Sequence, residues 1–246
     1  MSDEVRTVRA NGIRIAYRTW ALPPAAEDAD AAGGTPVVLL HCLGEDGADW
    51  RGPLVSQLAA TRPLHAPDLR GHGGSDRPGA YAMDDFGEDL RCFLDELALE
   101  RVVLVGHSLG SAVAGIFAGK HPGRVERLVL EETPAMLPLD PPREIPEPPA
   151  VPPRFDFEVR RQWNRQRNEP DPRWWSRLSE VTAPTLVVGG GSGSHLPQGD
   201  MAAVAARVPY GTFVTVEGGG HMVHERRPRE FAAAVRAFIN GETPVR

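Results

Sequence analysis

Ser108 stands at the centre of Gly106-His107-Ser108-Leu109-Gly110. The aliphatic run Val102-Val103-Leu104-Val105 leads into this pentapeptide, and a stretch of small residues (Ser111, Ala112, Ala114, Gly115, Ala118) leads out of it. A buried-type strand followed at once by a helix of small residues makes G-x-S-x-G a tight elbow, with the serine held in a strained backbone conformation. Gly106 and Gly110 are needed because side chains would collide where strand and helix approach each other. The hydroxyl is thereby lifted above the carboxyl edge of a sheet, over a helix amino terminus. A serine hydroxyl is a weak nucleophile at neutral pH, so attack on an acyl carbon needs a base to take its proton. It also needs backbone donors for the oxyanion that forms. Leu109, the residue after the serine, supplies one such N–H from the start of the elbow helix.

The elements that must position these groups can be read from periodicity. Residues 5–9 and 13–17 flank Asn11-Gly12, a strong hairpin signal. Apolar runs at 36–41, 63–66, 101–105 and 128–130 read as buried parallel strands, and 185–188 and 213–216 add two more. Helical patterns fall between them, as at 84–97, where Phe86, Leu90, Phe93, Leu94 and Leu97 share a face, and at 229–239. Strands alternating with helices imply an α/β domain, a doubly wound and mostly parallel sheet covered on both faces. Residues 23–34, rich in Ala, Asp and Gly, read as a surface loop.

One stretch breaks the alternation. Between 133 and 183 there is no strand-like run, and nine prolines from Pro134 to Pro153 make its first half stiff and extended. A helix is expected at 155–166 and another beginning at Asp171-Pro172. Phe155, Phe157, Trp163, Trp174 and Trp175 are too many aromatics for a disordered linker. The expected organisation is a core of 1–132 and 184–246 with a short helical lid at 133–183.

Composition excludes several functions. At 246 residues the chain fits one large domain, and a formal net charge of −6 offers no basic footprint for nucleic acid or an anionic membrane. The amino terminus lacks the apolar core of a secretion signal, and no run approaches transmembrane length, so a cytoplasmic protein is expected. Cys42 and Cys92 lack metal spacing and read as reduced thiols. Without H-E-x-x-H, paired cysteines or G-x-G-x-x-G after a strand, neither metal nor organic cofactor is expected. The expected partner is a small-molecule substrate; the oligomeric state is left open.

Four motifs in order give the chain a resemblance to the α/β-hydrolase superfamily over nearly its whole length. His41-Cys42-Leu43-Gly44 resembles the H-G-x-x loop, and Asp68-Leu69-Arg70-Gly71-His72-Gly73-Gly74-Ser75 the D-x-R-G-x-G-x-S loop. Gly106 to Gly110 is similar to the superfamily's elbow, and Gly218-Gly219-Gly220-His221-Met222 to its late glycine–histidine loop. The resemblance implies that His221 is the general base, rather than His41, His72, His107, His195 or His224. It also places the second oxyanion donor on Leu43, with Cys42 replacing the usual glycine. Cys42 itself is the alternative nucleophile, but it lacks an elbow.

The acid departs from the superfamily's common pattern. Its usual place, after the strand Leu186-Val187-Val188, reads Gly189-Gly190-Gly191-Ser192-Gly193, with Gly193 where the carboxylate should stand. Some branches, haloalkane dehalogenases among them, carry the acid after the preceding strand, and here Glu131 and Glu132 end Leu128-Val129-Leu130. Side chains alternate along a strand, so only one of the two can face the histidine. Similarity to the dehalogenase-like and esterase patterns favours Glu132; Glu131 would then be solvated or brace a loop. Glu131 and Asp200 remain the alternatives.

A serine at the elbow is incompatible with the alkyl-ester chemistry that dehalogenases and epoxide hydrolases perform with an aspartate. It implies acyl transfer on an ester, lactone, thioester or amide, or a retro-Claisen carbon–carbon cleavage. A lyase using Ser108 and His221 for proton transfer, and a ligand receptor retaining the triad, are the readings from other classes. Leu43, Trp50, Trp163, Trp174 and Met222 suggest a largely apolar pocket. Arg154, Arg160 and Arg161 are the candidates for a substrate carboxylate.

Overall fold

The computed structural model describes residues 3–20 and 34–242. Apart from Gly34, the loop expected at 23–34 lies outside them. In chain order the elements are β1 (Glu4–Ala10), β2 (Ile13–Trp20), β3 (Val37–Leu40), α1 (Pro53–Leu58), β4 (Leu64–Pro67), α2 (Met83–Glu96), β5 (Val102–His107) and α3 (Leu109–Lys120). They continue with β6 (Val125–Glu131), α4 (Phe157–Asn168), α5 (Pro172–Arg177), β7 (Thr185–Gly189), α6 (Gln198–Arg207), β8 (Gly211–Thr215), α7 (Val223–Arg226) and α8 (Pro228–Ile239). The eight strands form one sheet in the order β1-β2-β4-β3-β5-β6-β7-β8. β2 is antiparallel to both its neighbours, and the pairs from β4 to β8 are parallel. The hairpin turn has Asn11 at φ 48° and Gly12 at φ 77°, the positive angles that a two-residue hairpin loop demands.

Alternation along the central strands sorts the core into two layers. Val38, Leu40, Leu104, Leu128, Leu130 and Val187 face one layer, built with α2, α3 and α6. Val37, Leu39, Val105, Val129, Leu186 and Val188 face the other, built with α1 and α8. Both faces of the sheet are dry, which is why these strands read as unbroken apolar runs. α2 turns Met83, Phe86, Leu90, Phe93 and Leu94 inward, while Asp84 and Asp85 occupy its first turn, where the helix dipole favours negative charge. α1 and α6 were not expected from the sequence. α1 is six residues long, too short for helical periodicity to register, and α6 is a string of alanines with little amphipathic contrast.

Between β6 and β7 the chain leaves the sheet. Residues 134–156 have no helix or strand, and α4 and α5 follow. Asp156 caps α4 by accepting from the Glu158 N–H at 3.0 Å, and Asp171 caps α5 by accepting from the Arg173 N–H at 2.8 Å. Trp163 and Trp174 are buried in the layer that holds α3; burying such side chains is worth about 1.5–3 kcal/mol each. The segment is tied to the loop before α2. The Asp156 N–H donates to the Gly71 carbonyl at 2.7 Å, and the Tyr81 hydroxyl to the Asp156 carboxylate at 2.6 Å. Gln162 and Gln166 accept from the Tyr81 and Met83 N–H groups, each at 2.8 Å.

Candidate active site

β5 delivers Ser108 to the end of the sheet, where the chain reverses into α3. Ser108 takes φ 50°, ψ −107°, a conformation that L-residues rarely adopt. A Cβ on Gly106 would stand 2.4 Å from the Gly110 carbonyl oxygen, and one on Gly110 would stand 2.3 Å from that of Leu40. Those contacts are impossible, so the elbow closes only with glycine at both places. The turn is held by the Ser108 N–H, which donates to the Glu131 carbonyl at 2.9 Å. Leu109 is the first residue of α3, so its amide has no acceptor within the helix. Leu43 borders the same opening. Its loop is fixed from beneath: His41 Nε2 accepts from the Leu69 N–H at 2.9 Å, and the Asp68 carboxylate accepts from the Gly47 and Gly74 N–H groups, each at 2.8 Å.

The two glutamates at the end of β6 meet different histidines. A Glu132 carboxylate oxygen lies 3.1 Å from His221 Nδ1. Its other oxygen accepts from the Gly190 N–H at 2.7 Å, and the Ser194 hydroxyl also donates to the carboxylate. Glu132 is buried and has φ 47°, just beyond the last residue of β6. The turn as well as the pleat therefore separates its side chain from that of Glu131. Glu131 is fully buried rather than solvated: it accepts from the His224 N–H at 2.9 Å and from His224 Nδ1 at 2.8 Å. His224 Nε2 approaches Asp49 at 3.3 Å, and Trp50 stacks on the ring with centroids 4.7 Å apart. Burial opposes charge on His224, but Glu131 and Asp49 outweigh it and raise the pKa to about 10. Burial likewise works against ionised Glu131, and His224 and His107 hold it below the usual carboxylate range. Asp200, the other candidate acid, is exposed in the first turn of α6 and has no hydrogen bond to His221.

Gly193 occupies the place the sequence marked as vacated. A Cβ there would sit 3.7 Å from Gly220 Cα, beside the loop that carries His221. Three contributors escaped sequence reasoning. Ser194 supports Glu132 from the position next to that vacancy. His107 Nε2 donates to the His221 carbonyl at 2.7 Å and so fixes the backbone of the histidine loop. His224 takes up the second carboxylate. The last had a readable signal, since two adjacent acids and two histidines three apart can be satisfied in pairs.

Ser108 and His221 open into one cavity of about 530 Å3. Leu43, Trp163 and Met222 line it as expected, together with Cys42 and His195. The cavity is not the largely apolar one expected, because Glu45, Arg143, Glu144, Arg160 and Asn164 also form its wall. Trp50 does not reach it. It lies in the opposite core layer, because the loop after β3 turns beneath the sheet edge to stack the indole on His224. Trp174 is also absent from the wall; α5 packs it against α3, beside Ala112, Gly115 and Leu178. Of the candidate arginines only Arg160 lines the cavity; Arg161 pairs with Glu158 at 3.7 Å, and Arg154 is exposed. Burial, then Asp49 and Glu45, push the Cys42 thiol far above its usual range, so it stays protonated and is a poor nucleophile.

Comparison with known proteins places the chain. Residues 35–166 match the family model described as alpha/beta hydrolase fold. The 2-hydroxy-6-oxo-2,4-heptadienoate hydrolase of Pseudomonas putida is 41% identical over 106 residues, which are 41% of this chain and 38% of that protein. The chain's matches span well under half the length of such curated relatives. A thermophilic esterase from Thermogutta terrifontis superposes with a TM-score of 0.78 at 23% identity, covering 98% of this chain and 99% of that one. The enol-lactonase from Burkholderia xenovorans superposes with a TM-score of 0.79 at 21% identity, covering 96% of this chain and 100% of that one. Among the described residues no helix is long and apolar enough to cross a membrane. An elbow serine, a sheet parallel from β4 to β8 and a matching family model over more than half its length agree: the chain belongs to the α/β-hydrolase family.

Proposed function

We propose that the protein is a serine hydrolase that cleaves an ester, lactone or thioester through an acyl-enzyme on Ser108. The observation that carries this reading is the contact of Glu132 with His221 Nδ1, behind a cavity that His221 shares with Ser108. Ser108 Oγ attacks the carbonyl carbon and passes its proton to His221 Nε2, while the carbonyl electrons move onto oxygen. The Leu43 and Leu109 amides receive that oxyanion, and Glu132 stabilises the imidazolium. Collapse breaks the bond to the leaving oxygen or sulfur, which takes the proton from His221. Water then gives a proton to His221, its oxygen attacks the acyl carbon, and the bond to Oγ breaks with the proton returning to Ser108. No metal or organic cofactor enters this scheme. Residues 133–183 serve as a lid, with Trp163 as its apolar contribution to the cavity.

A fluorophosphonate is expected to label the protein stoichiometrically at Ser108, with a burst on a nitrophenyl ester. Ser108→Ala should lose both. A variant retaining turnover within about tenfold of the parent would sink the assignment. The similarity to the Pseudomonas putida hydrolase favours one second reading, hydrolytic carbon–carbon cleavage on the same residues. Turnover of a vinylogous 1,5-diketone acid with negligible esterase activity would select it.

A further inference from the structure

The cavity wall contributed by residues 133–183 carries two arginines whose side chains are not engaged by any carboxylate among the described residues. Arg143 and Arg160 line the cavity, and among the described residues neither side chain makes an ion pair or hydrogen bond. The carboxylates at the start of α4 are engaged elsewhere: Glu158 holds Arg165 at 3.0 Å and Arg161 at 3.7 Å, and Asp156 takes the Tyr81 hydroxyl. Arg143 is anchored by its backbone, its N–H donating to Asn168 Oδ1 at 2.7 Å and its carbonyl accepting from Asn168 Nδ2 at 2.8 Å. The root of its side chain is thus fixed while its guanidinium stays available.

A third cation lies close by. Arg167 is 5% exposed, packs 5.5 Å from the centre of the Trp163 ring, and leaves its buried Nε without a partner. Among the described residues it has no ion pair. Burial and the neighbouring Arg143, against Asp200, pull its pKa down to about 10, so it still carries charge at neutral pH. A buried guanidinium with an unpartnered Nε and no ion pair is costly, and that state points to an absent acceptor. Glu45 and Glu144 share the wall with Arg143 and Arg160, and Arg167 lies behind it, within reach of the Asp200 charge. The two unengaged guanidinium groups suit a monoanion; a phosphate dianion would be repelled by the two glutamates.

We infer that the cavity recognises substrates bearing a carboxylate remote from the scissile acyl bond, received by Arg143 and Arg160 with Arg167 behind them. This rests on the hydrolase reading above and gives it a substrate class: half-esters, or lactones carrying an acid. A cavity of about 530 Å3 spans on the order of 10 Å, room for a short chain between the two ends.

The test compares kcat/KM for mono-4-nitrophenyl adipate with that for its ω-methyl ester. The acid should be preferred by roughly tenfold or more, the usual scale of a charge-assisted pair. Arg143→Gln and Arg160→Gln should each shrink that ratio, chiefly through KM, and the double variant should bring it near one. Arg154→Gln, outside the cavity, should keep it. A parent ratio at or below one, or a double variant with the parent's ratio, overturns the inference. If neither ester is hydrolysed, the hydrolase reading fails by itself. Calorimetric titration with adipate then decides: binding weakened about tenfold in the double variant upholds the carboxylate site, and no binding to the parent refutes it.

Discussion

Glu131 and Glu132 are chemically alike, adjacent in sequence and each bonded to a histidine, yet their surroundings differ. The His221 side chain is 22% exposed and lines the cavity beside Ser108. That of His224 is 6% exposed and enclosed by Glu131, Asp49 and the Trp50 indole. On the proposed mechanism, the histidine that meets one carboxylate and an open cavity is the one that carries the proton. One locked between two buried carboxylates keeps its proton and becomes a structural cation. The pair teaches that surroundings, more than residue type, separate a base from a brace.

The comparison breaks first at Glu132. Glu132→Gln is expected to lower kcat about 10³- to 10⁴-fold, measured with an activated ester, with little change in thermal stability. Glu131→Gln should do the reverse. It leaves a buried imidazolium short of its main counter-charge and should cost about 3–5 kcal/mol in denaturant unfolding, with kcat of the folded fraction within about tenfold of the parent. Interchanged phenotypes would move the acid role to Glu131.

The next effect is a pH dependence. His224 is raised from 6.5 to about 10, so between those values the folded chain holds a proton that the unfolded chain has lost. Its contribution to stability is complete below the unfolded pKa and falls by roughly 1 kcal/mol per pH unit as pH rises through the window. Unfolding at pH 7 and pH 9 should show a loss in the parent that His224→Gln lacks. Equal slopes would mean that His224 is neutral in the folded protein. Ser194→Ala sharpens the other couple by the smallest step: removing the hydroxyl on Glu132 should lower kcat roughly tenfold. An unchanged kcat would show that the Gly190 amide suffices to hold the carboxylate.

Much of this was legible in the residues. The central strands announced themselves because strands buried on both faces, such as Val102 to Val105, are continuous apolar runs; Asn11-Gly12 marked the hairpin of β1 and β2, and Gly106 and Gly110 flagged the close approach at the elbow. Alternation assigned Glu131 and Glu132 to different sides, and the structure brings them to different histidines. Trp50 and Trp174 were misplaced for a shared reason: an aromatic residue reveals that it will be buried, not against which neighbours. The polar wall was missed because Arg143 and Glu144 reach the cavity only through the path of a proline-rich segment. That path is set by Asn164 and Asn168, far along in sequence, and no local period encodes it.

The same two asparagines separate evolutionary change from chemistry. Asn164 and Asn168 bind the carbonyls of Glu144 and Arg143 to α4, while Gln162 and Gln166 bind α4 to the loop before α2. The proline-rich stretch is thus fastened to a helix rather than to the strands that carry Ser108 and Glu132. Exchanges at 143 and 144 can re-dress the cavity wall without disturbing the elbow. On the proposed function, a lineage, or a laboratory, can therefore trade one clientele of substrates for another at that stretch while Ser108 and its supports are inherited intact.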